Sequence, residues 1–129
     1  MTHKDRVLLV DDQPMNVRIM TDCLEKAGYE VFKAYDGDTA LRIARESKPD
    51  IILLDIMMPE LDGFEVTERL RKDPETSVIP IILVTALGET GYKAKGLKAG
   101  ADDFLTKPVR LVELLARVRS LIHASSNGE

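Results

Sequence analysis

The sequence predicts a single α/β domain in which five parallel strands alternate with five helices. Short, unbroken apolar runs alternate along the chain with segments in which apolar residues recur every three or four positions. An apolar run without polar alternation is typical of a strand buried on both faces, and such strands occur in parallel sheets covered by helices. We therefore expect one doubly wound sheet with right-handed crossovers and helices on both faces.

Composition bounds the possible functions. The chain has 129 residues, enough for one domain with a substantial core, and 44% of them are hydrophobic. The net charge of −4 argues against a nucleic-acid-binding surface, and no apolar run approaches the roughly 20 residues that span a bilayer. Cys23 is the single cysteine, which fits a reducing compartment. We expect a cytoplasmic protein that binds neither nucleic acid nor membrane.

The first strand and helix are marked by their ends. The apolar run Arg6–Val10 stops at Asp11 and Asp12, and Pro14 then suits the first turn of a helix. This helix should extend to about Ala27, because Gly28 is a typical helix stop. Its inward face is predicted to consist of Val17, Met20, Leu24 and Ala27.

Two further strands follow in the first half of the chain. Glu30–Ala34 is a short strand, and a helix over about Asp38–Ser47 follows the turn at Asp36-Gly37. The run IILLD, Ile51–Asp55, has four large apolar residues without alternation and ends abruptly in an acid. Such a run fits a strand buried on both faces, and we expect it to be the central strand.

The second half repeats the alternation. After the loop IMMPELDG a helix is predicted over Phe64–Lys72, and a strand over Ile81–Val84 that ends at Thr85. The next helix, Glu89–Ala99, is the weakest prediction, because each of its two glycines costs about 1 kcal/mol relative to alanine. A strand over Asp103–Thr106 and a strongly amphipathic helix over Val109–His123 complete the domain. The inward face of this last helix is predicted to carry Leu111, Leu114, Leu115, Val118 and Ile122.

Four strands end in a polar group, and the carboxyl ends of parallel strands share one edge of a sheet. These groups are Asp11 with Asp12, Asp55, Thr85 and Lys107. Close carboxylates repel one another unless a divalent cation relieves the repulsion, and Mg²⁺ suits a site with few carboxylates and room for phosphate. Thr85 can donate to a phosphoryl oxygen and Lys107 supplies positive charge. The pattern predicts phosphoryl transfer onto Asp55 as nucleophile.

The motifs LLVDD, DIMMPELDG, VTA and GADDFLTKP occur in this order. Together they resemble the receiver domains of two-component response regulators, the chemotaxis-regulator-like family, over nearly all of the chain from Arg6 to about His123. The resemblance implies a flavodoxin-like fold with strand order 2-1-3-4-5. It also implies a Mg²⁺-dependent switch that takes its phosphoryl group from a histidine kinase or histidine phosphotransfer protein and controls an output or partner.

The resemblance assigns a role to each site residue. Asp55 corresponds to the phospho-acceptor, Asp12 to a direct Mg²⁺ ligand and Asp11 to a ligand acting mainly through water. Asp55 and the main-chain carbonyl of Met57 complete the expected metal ligands.

Lys107 is expected to pair with the phosphoryl group, and the bond before Pro108 to be cis. Thr85 corresponds to the switch hydroxyl and Phe104 to the switch aromatic. The family often has tyrosine at this aromatic position, so the hydroxyl is lost here. Met57 and Leu87 occupy the positions that flank the approach of a hydrolytic water, and neither can orient one. This predicts slow autodephosphorylation.

Two alternatives are a phosphorylation-independent receiver-like scaffold and a phosphatase that uses an aspartyl phosphate. The scaffold usually lacks an acid or the lysine, and both are present here. The haloacid-dehalogenase-like pattern needs a second aspartate two residues after the nucleophile, where this chain has Met57. We therefore expect a signalling switch and not an enzyme acting on a separate substrate.

We assign residues 1–124 to the receiver domain and 125–129 to a polar tail or linker stub. The surface from Glu89 to His123, where basic residues concentrate, is a candidate site for an output domain or partner protein. We expect a monomer or a weak homodimer.

Overall fold

The computed structural model describes residues 4–86 and 91–127 and shows a five-stranded parallel sheet in the order β2-β1-β3-β4-β5, as predicted. The strands are β1 (Arg6–Val10), β2 (Glu30–Ala34), β3 (Ile51–Asp55), β4 (Ile81–Thr85) and β5 (Asp103–Thr106). The helices are α1 (Pro14–Lys26), α2 (Gly37–Ser47), α3 (Gly63–Lys72), α4 (Tyr92–Ala99) and α5 (Leu111–Asn127). The flavodoxin-like α/β fold is thereby confirmed.

The central strand β3 supplies both faces of the core. Ile52 and Leu54 point into a cluster under α2, α3 and α4, whereas Ile51 and Leu53 point into a second cluster under α1 and α5. All four are fully buried. The strand is apolar without alternation because both of its faces are covered by helices.

Two helices begin one residue earlier than predicted because an aspartate caps each of them. The carboxylate of Asp36 accepts the backbone N–H of Thr39 at 2.8 Å, and that of Asp62 accepts the N–H of Glu65 at 3.0 Å. Each cap satisfies a backbone donor that the first turn leaves free.

Other boundaries and faces differ from the predictions. Ala27 is exposed and caps α1, so it is not part of the buried face. α5 begins at Leu111, two residues later than predicted, and continues past His123 to Asn127. Leu111 itself is exposed at the start of this helix, before the buried face begins at Leu114. Glu89 and Thr90, the predicted first residues of the α4 helix, lie outside the described residues.

Arg71 joins three segments at the end of the sheet where β4 and β5 begin. Its guanidinium donates to the carbonyl oxygens of Ser77 and Ile79, before β4, and to that of Gly100, after α4. It also pairs with Asp102 at 2.7 Å, and the same oxygen of Asp102 accepts the N–H of Ile81. The C-terminal end of α4 is therefore attached to α3. Within the described part of the chain, no helix is long and apolar enough to cross a membrane.

Candidate functional site

The sheet register aligns the predicted site residues at one edge. β3 lies between β1 and β4, with Leu54 beside Val10 and Asp55 beside Val84. Asp11 therefore follows β1 next to the end of β3, and Thr85 ends β4 on the other side. Lys107 follows β5 at the same edge. Adjacent parallel strands of similar length thus bring together residues that are far apart in the sequence.

Three carboxylates meet at this edge. Oxygen atoms of Asp11, Asp12 and Asp55 all lie within 4.8 Å of one another. Asp11 is 1% exposed and Asp55 is 3% exposed, whereas Asp12 is partly exposed. A cluster of oxygen donors with one member open to solvent matches the requirements of a hard divalent cation such as Mg²⁺. These residues could hold such an ion.

Both oxygens of the Asp55 carboxylate have a donor. The backbone N–H of Met57 donates to Oδ1 at 3.2 Å, and Lys107 Nζ donates to Oδ2 at 2.9 Å. Lys107 Nζ also lies 4.0 Å from Asp11 Oδ2, so one ammonium compensates two buried charges. The Lys107-Pro108 peptide bond is cis, as predicted.

Asp11 is anchored by the start of α1. The backbone N–H of Gln13 donates to its Oδ1 at 2.9 Å, and Asn16 Nδ2 lies 3.4 Å from its Oδ2. Burial raises the pKa of the Asp11 carboxyl above its ordinary value, and the charge of Asp55 adds to this. The Gln13 N–H, the Lys107 ammonium and Asn16 act in the opposite direction.

The predicted switch residues, Thr85 and Phe104, differ in their surroundings. Thr85 Oγ1 is buried, and it has no hydrogen-bond partner among residues 4–86 and 91–125. Phe104 is half-buried, and its ring packs against the backbone of Gly96 in α4. A Cβ atom at residue 96 would lie 2.5 Å from Phe104 Cζ and 2.8 Å from Leu83 Cδ1. The absence of a side chain at Gly96 is what makes room for the ring.

The loop after Asp55 is folded tightly onto the strand. The N–H of Gly63 donates to the carbonyl of Ile56 at 3.0 Å, and a Cβ at Gly63 would lie 2.7 Å from the Asp55 carbonyl oxygen. The Met57 side chain is exposed in this loop, whereas Leu87, its predicted counterpart beside the water approach, lies outside the described residues.

Tyr92 was not predicted as a neighbour of the site, and its hydroxyl donates to Met57 Sδ at 3.8 Å. A lone tyrosine at the start of a weak helix carries no pattern that points to the site. The contacts that Asp11 makes with the Gln13 N–H and the Asn16 side-chain amide were also not predicted, although an acid shortly before a helix start often accepts a backbone N–H.

Comparison with known proteins decides the family. Residues 7–119 match the family model described as the response regulator receiver domain. The chain belongs to this family. As a receiver domain it has a function in two-component signalling, and its acidic site is of the kind that receiver domains use for magnesium and as phosphoacceptor.

Two curated relatives differ greatly in length. The chain is 53% identical to the response regulator PleD of Caulobacter vibrioides over 116 residues, which are 90% of this chain but only 26% of PleD. It is 44% identical to the protein PilH of Pseudomonas aeruginosa over 117 residues, 91% of this chain and 97% of PilH. The receiver domain thus spans about a quarter of one relative and almost all of the other.

A solved receiver domain resembles this one closely. The receiver domain of the sensor histidine kinase PA1611 from Pseudomonas aeruginosa is 34% identical, with a TM-score of 0.86 over 94% of this chain and 99% of that one. Its crystal structure has a magnesium ion coordinated in the active-site cleft. The acidic cluster of the present receiver domain is similar to such a site.

Proposed function

We propose that this receiver domain accepts a phosphoryl group on Asp55 from a phosphohistidine of a histidine kinase or histidine phosphotransfer protein. The groups that surround Asp55 support this proposal most directly. The carboxylate ends the central strand, pairs with Lys107 at 2.9 Å and lies within 4.8 Å of Asp11 and Asp12. A nucleophilic carboxylate, a fixed cation and two further acids for a metal are the parts that phosphoryl transfer requires.

The transfer balances as one bond formed and one broken. A carboxylate oxygen of Asp55 attacks phosphorus, the bond between phosphorus and the donor's imidazole nitrogen breaks, and the electron pair leaves on that nitrogen. Lys107 compensates the charge that gathers on the phosphoryl oxygens. The Thr85 hydroxyl, which has no partner among the described residues, is available to donate to one of them. Mg²⁺ bound by Asp11, Asp12, Asp55 and the Met57 carbonyl would supply further positive charge at these oxygens.

The phosphorylated domain then changes conformation through Thr85 and Phe104. A hydrogen bond from Thr85 to the phosphoryl group draws the end of β4 toward Asp55, and the Phe104 ring adjusts to the space that this movement leaves. Because these groups are packed, the change is a shift between two populated states. Hydrolysis is slow because neither Met57 nor Leu87 can orient a water molecule. We infer a switch, not an enzyme for a separate substrate.

The proposed domain comprises residues 1–124, although α5 continues through the predicted tail as far as Asn127. We propose that the surface from Glu89 to His123 binds an output domain or partner. We also propose that the domain is cytoplasmic, does not bind nucleic acid directly, and is a monomer or weak homodimer. Light scattering before and after phosphorylation tests the oligomeric state.

The central experiment uses acetyl phosphate with Mg²⁺, followed by mapping of the adduct by mass spectrometry. The parent should acquire one phosphoryl group, on Asp55. Asp55→Asn should acquire none, whereas Asp38→Asn, a matched change at an exposed aspartate, should behave as the parent. Removal of Mg²⁺ with EDTA should abolish the reaction. Undiminished labelling of the Asp55→Asn variant would contradict the proposal.

A further inference from the structure

One side chain ties α4 to the loop that follows Asp55. The hydroxyl of Tyr92, the first residue of α4, donates to Met57 Sδ at 3.8 Å. The backbone N–H of the same Met57 donates to Asp55 Oδ1 at 3.2 Å. Met57 therefore contacts the candidate phosphoacceptor with its backbone and α4 with its side chain.

The ring of Tyr92 is held independently of its hydroxyl. It packs in a T-shaped arrangement on Phe64, with ring centroids 5.4 Å apart and an interplanar angle of 80°. Phe64 is buried in the core, and Lys95 Nζ lies 4.6 Å from its ring centroid. Aromatic pairs and cations over rings each contribute favourably to packing. Replacing Tyr92 by phenylalanine would thus remove the hydroxyl and leave the ring in place.

The first turn of α4 has little other support. Its N-cap, Gly91, has a positive φ and offers no side-chain cap, and the first turn contains no acidic residue. Gly96 further weakens the helix. A short helix of this kind depends on tertiary contacts to hold its first turn.

The side chain of Met57, unlike those of its apolar neighbours, is not held by burial in the core. Ile56, Met58 and Leu61 are buried in the core, whereas Met57 is 59% exposed. An exposed methionine side chain rotates about three bonds and therefore has no fixed position. The contact with Tyr92 removes part of this freedom beside Asp55.

We propose that Tyr92 is a positioning residue for the chemistry at Asp55, and that it lengthens the lifetime of the aspartyl phosphate by holding Met57. The inference rests on the proposed phosphorylation of Asp55. In hydrolysis a water oxygen attacks phosphorus, the bond between phosphorus and the Asp55 oxygen breaks, and inorganic phosphate leaves. A restrained thioether protects the in-line approach of that water, and a released one protects it less.

The test compares phosphoryl decay in four proteins: the parent, Tyr92→Phe, Met57→Leu, and the double variant. Each is loaded with acetyl phosphate, desalted and followed in Mg²⁺. Tyr92→Phe should lose the phosphoryl group about two- to fivefold faster, the size expected from losing one weak hydrogen bond. In the Met57→Leu background the same change should have no effect, because the two residues share one contact. Tyr29→Phe, at the opposite edge of the sheet, is the matched control and should decay as the parent.

A second measurement does not depend on phosphate. Amide hydrogen exchange at Met57, followed by NMR in the unphosphorylated protein, should be faster in Tyr92→Phe than in the parent and in Tyr29→Phe. Urea unfolding should give nearly equal stabilities, which separates positioning from a structural role.

The decay and exchange measurements together decide whether Tyr92 positions Met57. Faster exchange at Met57 together with faster decay supports the proposal. Parent-like decay in Tyr92→Phe overturns it, whatever the exchange shows, and so does an equal effect of Tyr92→Phe with and without Met57. A parent that forms no adduct at Asp55 overturns the proposed function, and this inference with it, before any variant is compared.

Discussion

At the scale of single residues, Asp11 carries a charge that the fold accommodates at a cost. Its carboxyl is buried, and burial raises its pKa, so the folded protein binds a proton at this group more readily than the unfolded chain does. As the pH rises through the folded-state pKa, Asp11 loses its proton and the folded protein loses the stabilisation that this bound proton provides. At neutral pH the ionised Asp11 therefore lowers the free energy of unfolding.

Asp11→Asn should accordingly raise the free energy of unfolding in EDTA at neutral pH, on the order of 1 kcal/mol. Asparagine keeps an oxygen for the Gln13 N–H and removes the charge. The gain should shrink as the pH falls and vanish below the unfolded-state pKa, where the parent is also neutral. Urea unfolding at several pH values measures it, with Asp38→Asn as exposed control.

Saturating Mg²⁺ should stabilise the parent more than Asp11→Asn, because the variant lacks one charge of the metal site. If Asp11→Asn is less stable than the parent in EDTA at every pH, the charge of Asp11 does not lower the free energy of unfolding.

The placement of Asp11, Asp55, Thr85 and Lys107 at one edge of the sheet was predictable from the sequence, because each ends or directly follows a strand. Asp55 and Thr85 follow uninterrupted apolar runs, and parallel strands of similar length bring their ends together. Tyr92 was not predictable. Its proposed role depends on a side-chain contact between the first residue of α4 and Met57 in the loop after β3, and no local pattern encodes such a contact.

At the scale of elements, α4 shows how a tertiary contact overrides helix propensity. Alanine is favoured over glycine in a helix by about 1 kcal/mol. At residue 96, however, a Cβ would lie 2.5 Å from Phe104 Cζ. Real Cβ atoms do not approach other atoms so closely, so the ring or the helix must move.

Gly96→Ala should therefore lower the free energy of unfolding by about 1–3 kcal/mol, the usual cost of overpacking. In a Phe104→Ala background, where the ring is gone and only the 2.8 Å approach to Leu83 Cδ1 remains, the same change should cost clearly less. Denaturant unfolding of the four proteins gives the coupling between the two positions. Equal effects of Gly96→Ala in both backgrounds would contradict the packing argument.

The elements also show where prediction from sequence reaches its limit. The strands were predicted to within a residue, because apolar runs end sharply. The helix ends were less accurate, since caps such as Asp36 and Asp62 hydrogen-bond to the first turn and lengthen it by a residue. Leu111 shares the spacing of the buried face of α5 but lies before the helix is covered by the sheet.

At the scale of the whole molecule, Arg71 attaches the end of α4 and the start of β5 to α3. One guanidinium makes four hydrogen bonds to two segments, the residues before β4 and the residues between α4 and β5. Lysine could not reproduce this planar arrangement of donors. Arg69, two residues earlier in the same helix, makes one exposed ion pair with Glu65.

Arg71→Ala should lower the free energy of unfolding by about 2–3 kcal/mol, because several partly buried carbonyls and a carboxylate lose their donor. Arg69→Ala is the matched control and should cost about 0.5 kcal/mol or less. Thermal and urea unfolding of both variants provide the comparison. Similar losses for the two arginines would mean that Arg71 is only a surface residue.

The burial of Asp55 also has a consequence for selectivity. The chain contains 22 acidic residues, and among those that the structure describes only Asp11 and Asp55 are buried. A phosphoryl donor that reacted with whichever carboxylate it met first would label the exposed ones. The position of a carboxylate beside the other site groups, and not its exposure to solvent, would therefore select the acceptor. Under the proposed function, a donor would have to be brought to the edge of the sheet where Lys107 and Asp12 lie. Random encounters with the rest of the surface would then be unproductive.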